Sequence, residues 1–360
     1  MDIALFFDAV DEHLLDNLSK RALGDAIHVN AISKPSLEGK EIALFSVGGE
    51  IANFDPIRTE LYNLQQSNIS YSVVDLGHLR SENKTQAIER TKEVCAFLKD
   101  KKIIPIVLGQ NHELDAGQFQ AFEHSKETVN LTVVDHSFDL ETNEGDGHLY
   151  SNITNSNVLL DQYTHLGYQS FYTDYEAIHI FEKLNFEGFR LGYLKEELKE
   201  IEPSIRKSHI MSFDLSSIKY GESKGCSVKN PFGLTGEEAC QIAWYAGLSD
   251  RMSSFGIYDY VSVDDVDMQT AKICSTMLWY FIDGVAHRRD SQNFETNDYL
   301  KYTVFLNRTG EDLIFYKNIR TDKWWLKAGE DVIPCSYKDY KLAASGEIPD
   351  RWLNEIVRRS

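Results

Sequence analysis

The run Ile103-Ile104-Pro105-Ile106-Val107-Leu108 is apolar at every position. A strand with one wet face alternates apolar and polar residues. A strand without that alternation has both faces buried, which is the pattern of a parallel sheet covered by helices on two sides. Pro105 cannot donate a ladder hydrogen bond, so it belongs near the start of such a strand. Residues 41–47, closed by Gly48-Gly49, and 69–75, 131–135, 209–214 and 254–260 read as further strands. Helical patterns lie between them. In 85–98, Ile88, Cys95 and Leu98 fall on one face. Thr235 and Glu238 form a capping box that opens a helix through Trp244 and Leu248. A long apolar helix follows over 271–286. Strands alternating with helices predict an α/β fold with a mostly parallel sheet between helix layers.

The two ends read differently. Residues 1–40 are expected to be an N-terminal helical extension, with one helix over 10–23 and then a loop carrying Pro35. Residues 41–290 form the α/β domain. Residues 291–360 form a small C-terminal β appendage: an antiparallel meander over 302–306, 312–316 and 323–326, with a closing helix over 351–358. Trp324-Trp325 is read as packing for this appendage, which is also the candidate contact of a homo-oligomer.

Charge narrows the partners. Lys plus Arg is 37 and Asp plus Glu is 56, a net charge of −19 over 360 residues. Such a chain is a poor match for nucleic acid or an anionic membrane. No apolar run approaches the roughly 20 residues of a membrane span. The acidic start, Met1-Asp2-Ile3-Ala4, does not read as a signal peptide. Five scattered cysteines without a CxxC pair suit reduced thiols in a cytoplasmic protein.

Three strands end in polar clusters: Gly109-Gln110-Asn111-His112-Glu113, Asp135-His136-Ser137-Phe138-Asp139 and Asp214-Leu215-Ser216. Open parallel sheets bind ligands beyond the carboxyl ends of their strands. On extended backbone Asp135, Ser137 and Asp139 share a face, as do Asp214 and Ser216, whereas His136 should face away. One imidazole and three carboxylates could converge on Mn2+ or a similar divalent ion. The competing structural reading is that each Asp merely caps the next helix.

The order of Pro-Ile-Val-Leu-Gly-Gln-Asn-His-Glu, Val-Val-Asp-His-Ser-Phe-Asp-Leu and Ser-Phe-Asp-Leu-Ser resembles the arginase (ureohydrolase) superfamily, whose motifs run GGDH, DAHxD and SFDxD. Phe138-Asp139-Leu140 and the helix start at 236–240 look most like the formimidoylglutamase branch. The resemblance spans roughly 41–286. It implies a three-layer α/β/α sandwich and hydrolysis of guanidinium or formimino groups at a two-manganese centre. It places the ligands of one metal on His112, Asp135, Asp139 and Asp214. The ligands private to the second metal fall on Ser137 and Ser216, so at most one tightly held Mn2+ per chain is expected. Asp139 and His148 are the catalytic candidates, although the glycine-rich loop 143–148 also reads as a solvated turn. Asp259 matches the family's amidine contact, or is simply a strand end.

The resemblance therefore implies a metal-dependent hydrolase of linear amidine C–N bonds acting on a small-molecule substrate. The two serines raise the alternative of a catalytically impaired pseudoenzyme that binds a protein partner.

Overall fold

The computed structural model describes residues 3–29, 37–49, 52–67, 71–125, 128–138, 156–288, 293–306 and 312–359. Its centre is a ten-stranded sheet. Two short N-terminal strands, β1 (Phe7–Asp8) and β2 (His28–Val29), both pair with β4 at one end. The other eight are β3 (Ile42–Val47), β4 (Val73–Leu79), β5 (Ile104–Gly109), β6 (Val129–Val134), β7 (Leu160–Tyr168), β8 (Glu187–Arg190), β9 (Ile210–Asp214) and β10 (Ser254–Tyr258). They run in the order β4-β3-β5-β10-β9-β6-β7-β8, all parallel, and only β1 is antiparallel.

Every residue of β3, β5, β6, β9 and β10 is buried. That is the physical reason for their largely apolar runs: the sheet lies between two cores. Ile42, Leu44, Ile106, Met211, Phe213 and Ile257 face one core, with helices α1 (Asp55–Asn63), α7 (Gly236–Gly247) and α8 (Gln269–Ala286). Ala43, Phe45, Val107, Leu131 and Val133 face the other, with α2 (Lys84–Asp100) and α4 (Tyr175–Lys183). The short helices α3 (Asp115–Gln120), α5 (Leu191–Glu197) and α6 (Glu202–Arg206) lie between strands in the chain. Pro105 is the second residue of β5, where its missing donor is tolerated. The Thr235–Glu238 capping box is present in full at the start of α7.

The sequence-based expectations miss in three places. Residues 10–23 are not one helix. Short 3-10 turns occupy Glu12–Leu15 and Leu23–Asp25, and Asn17 takes a left-handed φ of 63° that a continuous helix excludes. The expected strand at 69–75 runs instead over Val73–Leu79. Strands β7 and β8 were not foreseen, because their residues include Asp161, Gln162, Thr164, His165 and Arg190, which blur an apolar run.

The C-terminal appendage is a four-stranded antiparallel sheet in sequential order: β11 (Tyr299–Phe305), β12 (Asp312–Asn318), β13 (Trp324–Ala328) and β14 (Asp331–Cys335). The last strand and helix α9 (Tyr337–Ala344) extend the meander read from sequence, and α10 (Asp350–Arg359) closes the chain. Both tryptophans pack within the appendage, Trp324 stacking with Tyr340 at 4.9 Å and Trp325 lying buried. Charged side chains fasten the sheet to the main domain. Arg206 donates to the carbonyls of Trp324 and Cys335, at 3.1 and 3.2 Å, and Lys207 pairs with Glu355 at 3.3 Å.

Candidate metal centre

Strands β5, β10, β9 and β6 are neighbours, so their carboxyl ends lie side by side. They bring His112, Asp259, Asp214 and Asp135 to one edge of the sheet. Gly109 closes β5 because the Tyr258 ring lies where a Cβ would project. His112 follows in a short 3-10 turn. Asp214 ends β9 and caps the turn Leu215–Ser217, its Oδ1 accepting from the Ser216 N–H at 2.6 Å. Asp135 follows directly on β6, its N–H donating to the Leu166 carbonyl at 3.0 Å.

One ligand atom from each of His112, Asp135 and Asp214 fits within 4.8 Å of the others, and all three residues are buried. His112 Nδ1 is 3.0 Å from Asp214 Oδ2 and 3.3 Å from Asp135 Oδ2. On the far side of the ring, Nε2 is 2.9 Å from Ser212 Oγ, and that hydroxyl donates to Asp115 Oδ2 at 2.9 Å. The single hydroxyl proton of Ser212 is therefore committed to Asp115, and Nε2 must be the donor to Ser212. In a neutral imidazole the Nδ1 lone pair then faces two carboxylate oxygens. That geometry requires a cation between them, either a proton on Nδ1 or a metal ion. One nitrogen and two carboxylates at this spacing fit a hard divalent ion such as Mn2+.

The charges agree. Burial alone pushes the Asp135 carboxyl up, but hydrogen bonds from His112 and His136 outweigh it and hold the group well below the usual carboxylate range. Asp259 goes the other way: burial, then the charge of Asp214, push it up to about 7, against a 2.9 Å hydrogen bond from the Ser227 N–H. Its φ of 67° turns the chain as β10 ends. Burial also pushes the His165 imidazole down to about 4. Its Nε2 sits 3.2 Å from the Asp135 carbonyl oxygen and its Nδ1 2.9 Å from the Tyr163 hydroxyl.

Of the four ligands read from sequence, the structure brings together His112, Asp135 and Asp214. Asp139 and the catalytic candidate His148 lie outside the described residues. Asp259 is buried beside the cluster. Ser216 is buried there too, whereas Ser137 is half-buried.

His136 contradicts the expectation that it faces away. Its Nδ1 is 2.7 Å from Asp135 Oδ1 and 2.9 Å from Ser216 Oγ. Strand alternation stops applying at Val134, where β6 ends, and the chain bends at His136-Ser137. Ser212 and Asp115, which orient His112, were also missed. Ser212 opens the Ser-Phe-Asp motif and Asp115 lies three residues after His112, so both were within reach of a search around the ligands.

A doubly wound α/β sandwich with a buried nitrogen–oxygen cluster at the carboxyl edge of its sheet defines a class of protein with a site there able to hold a metal ion. The sequence matches the arginase family over residues 51–283, well over half of its length, and the chain belongs to that family. No match was found among curated proteins.

Solved structures share the fold at low identity. Formiminoglutamase of Trypanosoma cruzi with Mn2+2 superposes with a TM-score of 0.62 at 15% identity, over 70% of this chain and 95% of that one. Formimidoylglutamase of Bacillus subtilis gives 0.63 at 16%, over 76% and 94%. Agmatine ureohydrolase of Thermoplasma volcanium gives 0.57 at 19%, over 76% and 97%. The family match ends before the appendage begins. No described helix is long and apolar enough to cross a membrane.

Proposed function

We propose that this chain is a metal-dependent hydrolase of linear amidine C–N bonds, of the formimidoylglutamase-like branch, with formimidoylglutamate as the leading substrate. We further propose that it holds one Mn2+ tightly through His112, Asp135 and Asp214, with Asp139 as a fourth ligand carried over from the family resemblance. The observation that carries this reading is the buried His112 Nδ1 aimed at two carboxylate oxygens, 3.0 and 3.3 Å away. When bound, a divalent ion supplies Lewis acidity and lowers the pKa of a coordinated water.

The chain's own residues do the rest. Ser212 and Asp115 fix the tautomer of His112. We assign Asp259, buried beside the cluster, as the contact for the cationic amidine, a role carried over from the family resemblance. Its carboxylate is shorter than the family's usual Glu, so its reach is reduced.

Ser137 and Ser216 favour the second reading, an impaired enzyme whose scaffold serves as a binding subunit. Ser216 gives its N–H to Asp214, its hydroxyl oxygen lies 2.9 Å from His136 Nδ1, and it contributes no carboxylate. Slow turnover of formimidoylglutamate, agmatine and arginine is therefore expected. The test is hydrolysis by the manganese-loaded chain beside His112→Ala. Slow activity lost in that variant supports the hydrolase. No activity despite a stoichiometric tight metal supports the pseudoenzyme. A turnover near 10 per second, about the middle of the usual enzyme range, would mean that the serines do not impair the site.

A further inference from the structure

The two edges of the appendage sheet differ. At one edge, β14 is shut off: Pro334 has no N–H to give, and the Cys335 carbonyl accepts from Arg206 of the main domain at 3.2 Å. At the other edge lies β11, which pairs with β12 alone. Its run Tyr-Leu-Lys-Tyr-Thr-Val-Phe holds no proline, keeps an unbroken register and carries one charge, Lys301. Among the described residues, the backbone of 300–305 has no hydrogen-bond partner outside that ladder. Natural sheets blunt an edge of this length with charges, proline, a bulge or a covering element.

The appendage core also runs out at this edge. Cross-strand partners share a face, so Tyr302 and Val304 lie on the side of the buried Phe315 and Leu313. Tyr302 and Val304 are only half-buried, and Leu300, next in that row, is 47% exposed. On the other face Phe305 is 72% exposed. At the opposite end of the same face, Tyr299 packs on Phe294 and Trp325, with ring centres 5.0 and 5.4 Å away.

We propose that β11 is the contact of a two-fold homodimer, in which the β11 strands of two copies pair antiparallel and join the two appendage sheets into one. The strand's own sequence selects this occupant. A two-fold axis perpendicular to the sheet keeps every side chain on its face, and paired residues must share a face. The axis therefore passes beside a residue, not between two. At Tyr302 it overlaps the whole of β11. Tyr302 then meets its own copy, Leu300 meets Val304, Tyr299 meets Phe305, and Lys301 meets Thr303 of the second copy. Apolar residues face apolar ones, and each lysine faces a neutral hydroxyl. Moving the axis to Lys301 would set the two lysines in direct opposition. The net charge of −19 opposes self-association over most of the surface, but β11 carries no acidic residue. The strand lies beyond the family match at 51–283, so the contact stands apart from the metal reading.

Sedimentation velocity on the full chain, from about 1 to 100 μM, tests the contact. The parent should associate reversibly within that range. Thr303 is exposed, so a substitution there leaves the appendage core alone. Thr303→Lys sets like charges opposite each other twice per dimer and should raise the dissociation constant about tenfold or more. Thr303→Glu should lower it by pairing with Lys301 of the second copy, and Lys301→Glu with Thr303→Lys should restore association. A parent that stays monomeric throughout, or an assembly that Thr303→Lys leaves unchanged, overturns the inference. If Thr303→Lys does not fold, Thr303→Glu decides, and an unchanged dissociation constant refutes the proposed register and with it the proposal.

Discussion

Replacing Asp115 with Ala should weaken tight metal binding more than replacing Ser212 with Ala, although Ser212 is the residue that touches His112. Ser212 Oγ lies 2.9 Å from both His112 Nε2 and Asp115 Oδ2, while Nε2 and Oδ2 are themselves only 3.5 Å apart. Removing the serine hydroxyl lets the carboxylate take the Nε2 proton directly after a closure of about half an ångström, within ordinary hydrogen-bond range. Removing the carboxylate leaves the hydroxyl free to rotate and donate to Nε2. That places the histidine proton on Nδ1, the atom needed for the metal. Outer partners of this kind change metal affinity by about 10- to 100-fold, or about 1.4–2.7 kcal/mol. Asp115→Ala should fall in that range and Ser212→Ala below tenfold. Asp115→Asn, which keeps an acceptor, should lie between them. Competition against a chelator of known manganese affinity gives the ratios, with circular dichroism checking the fold. If Ser212→Ala costs more than Asp115→Ala, or if neither changes affinity, the tautomer reasoning fails.

Three further outcomes follow from the fold. Gly77 has φ +92°, and a Cβ there would run into the Asp8 carbonyl, so Gly77→Ala should cost about 3 kcal/mol and detach β1, visible as faster amide exchange at Phe7–Asp8. Arg58 donates to Asp75 at 2.9 and 3.2 Å inside the core, and Tyr62 donates to the same carboxylate at 2.8 Å. Arg58→Ala should destabilise by about 3–5 kcal/mol in urea unfolding, and a loss under 1 kcal/mol would mean the pair is not uncompensated when broken. The His165 imidazole falls from 6.5 to about 4 on burial, so the folded state favours its neutral form. That stability is fully present above pH 6.5 and is lost as pH falls toward 4, by at most about 3 kcal/mol. His165→Gln should flatten the Tm profile between those limits, and an unchanged profile would reject this origin of the acid sensitivity.

Much of the architecture was legible because burial on both faces leaves a direct mark. Strands β3, β5, β6, β9 and β10 read as largely apolar runs, since a polar residue in them must find a partner inside the fold. The capping box at Thr235 was equally plain, being a local device spelled out over four residues. Strands β7 and β8 were not legible. Their polar residues find partners only in the folded chain, as when His165 meets Tyr163 and the Asp135 carbonyl, or Gln162 meets Arg358 from the last helix.

The sequence by itself determined which residues are chemically able to hold a metal, and that they follow parallel strands. Residue type and apolar pattern are local properties, read without knowing strand order. Which of those residues meet is a matter of neighbouring strands. His112, Asp135 and Asp214 are separated by tens of residues in the chain and come together only because β5, β10, β9 and β6 lie side by side. His136 is the clearest case. Alternation along a strand predicts that it turns away, but alternation ends where the ladder hydrogen bonds end. Beyond Val134, the direction of the ring is set by Asp135, Ser216, Tyr172 and Gln169, and three of those four come from elsewhere in the chain.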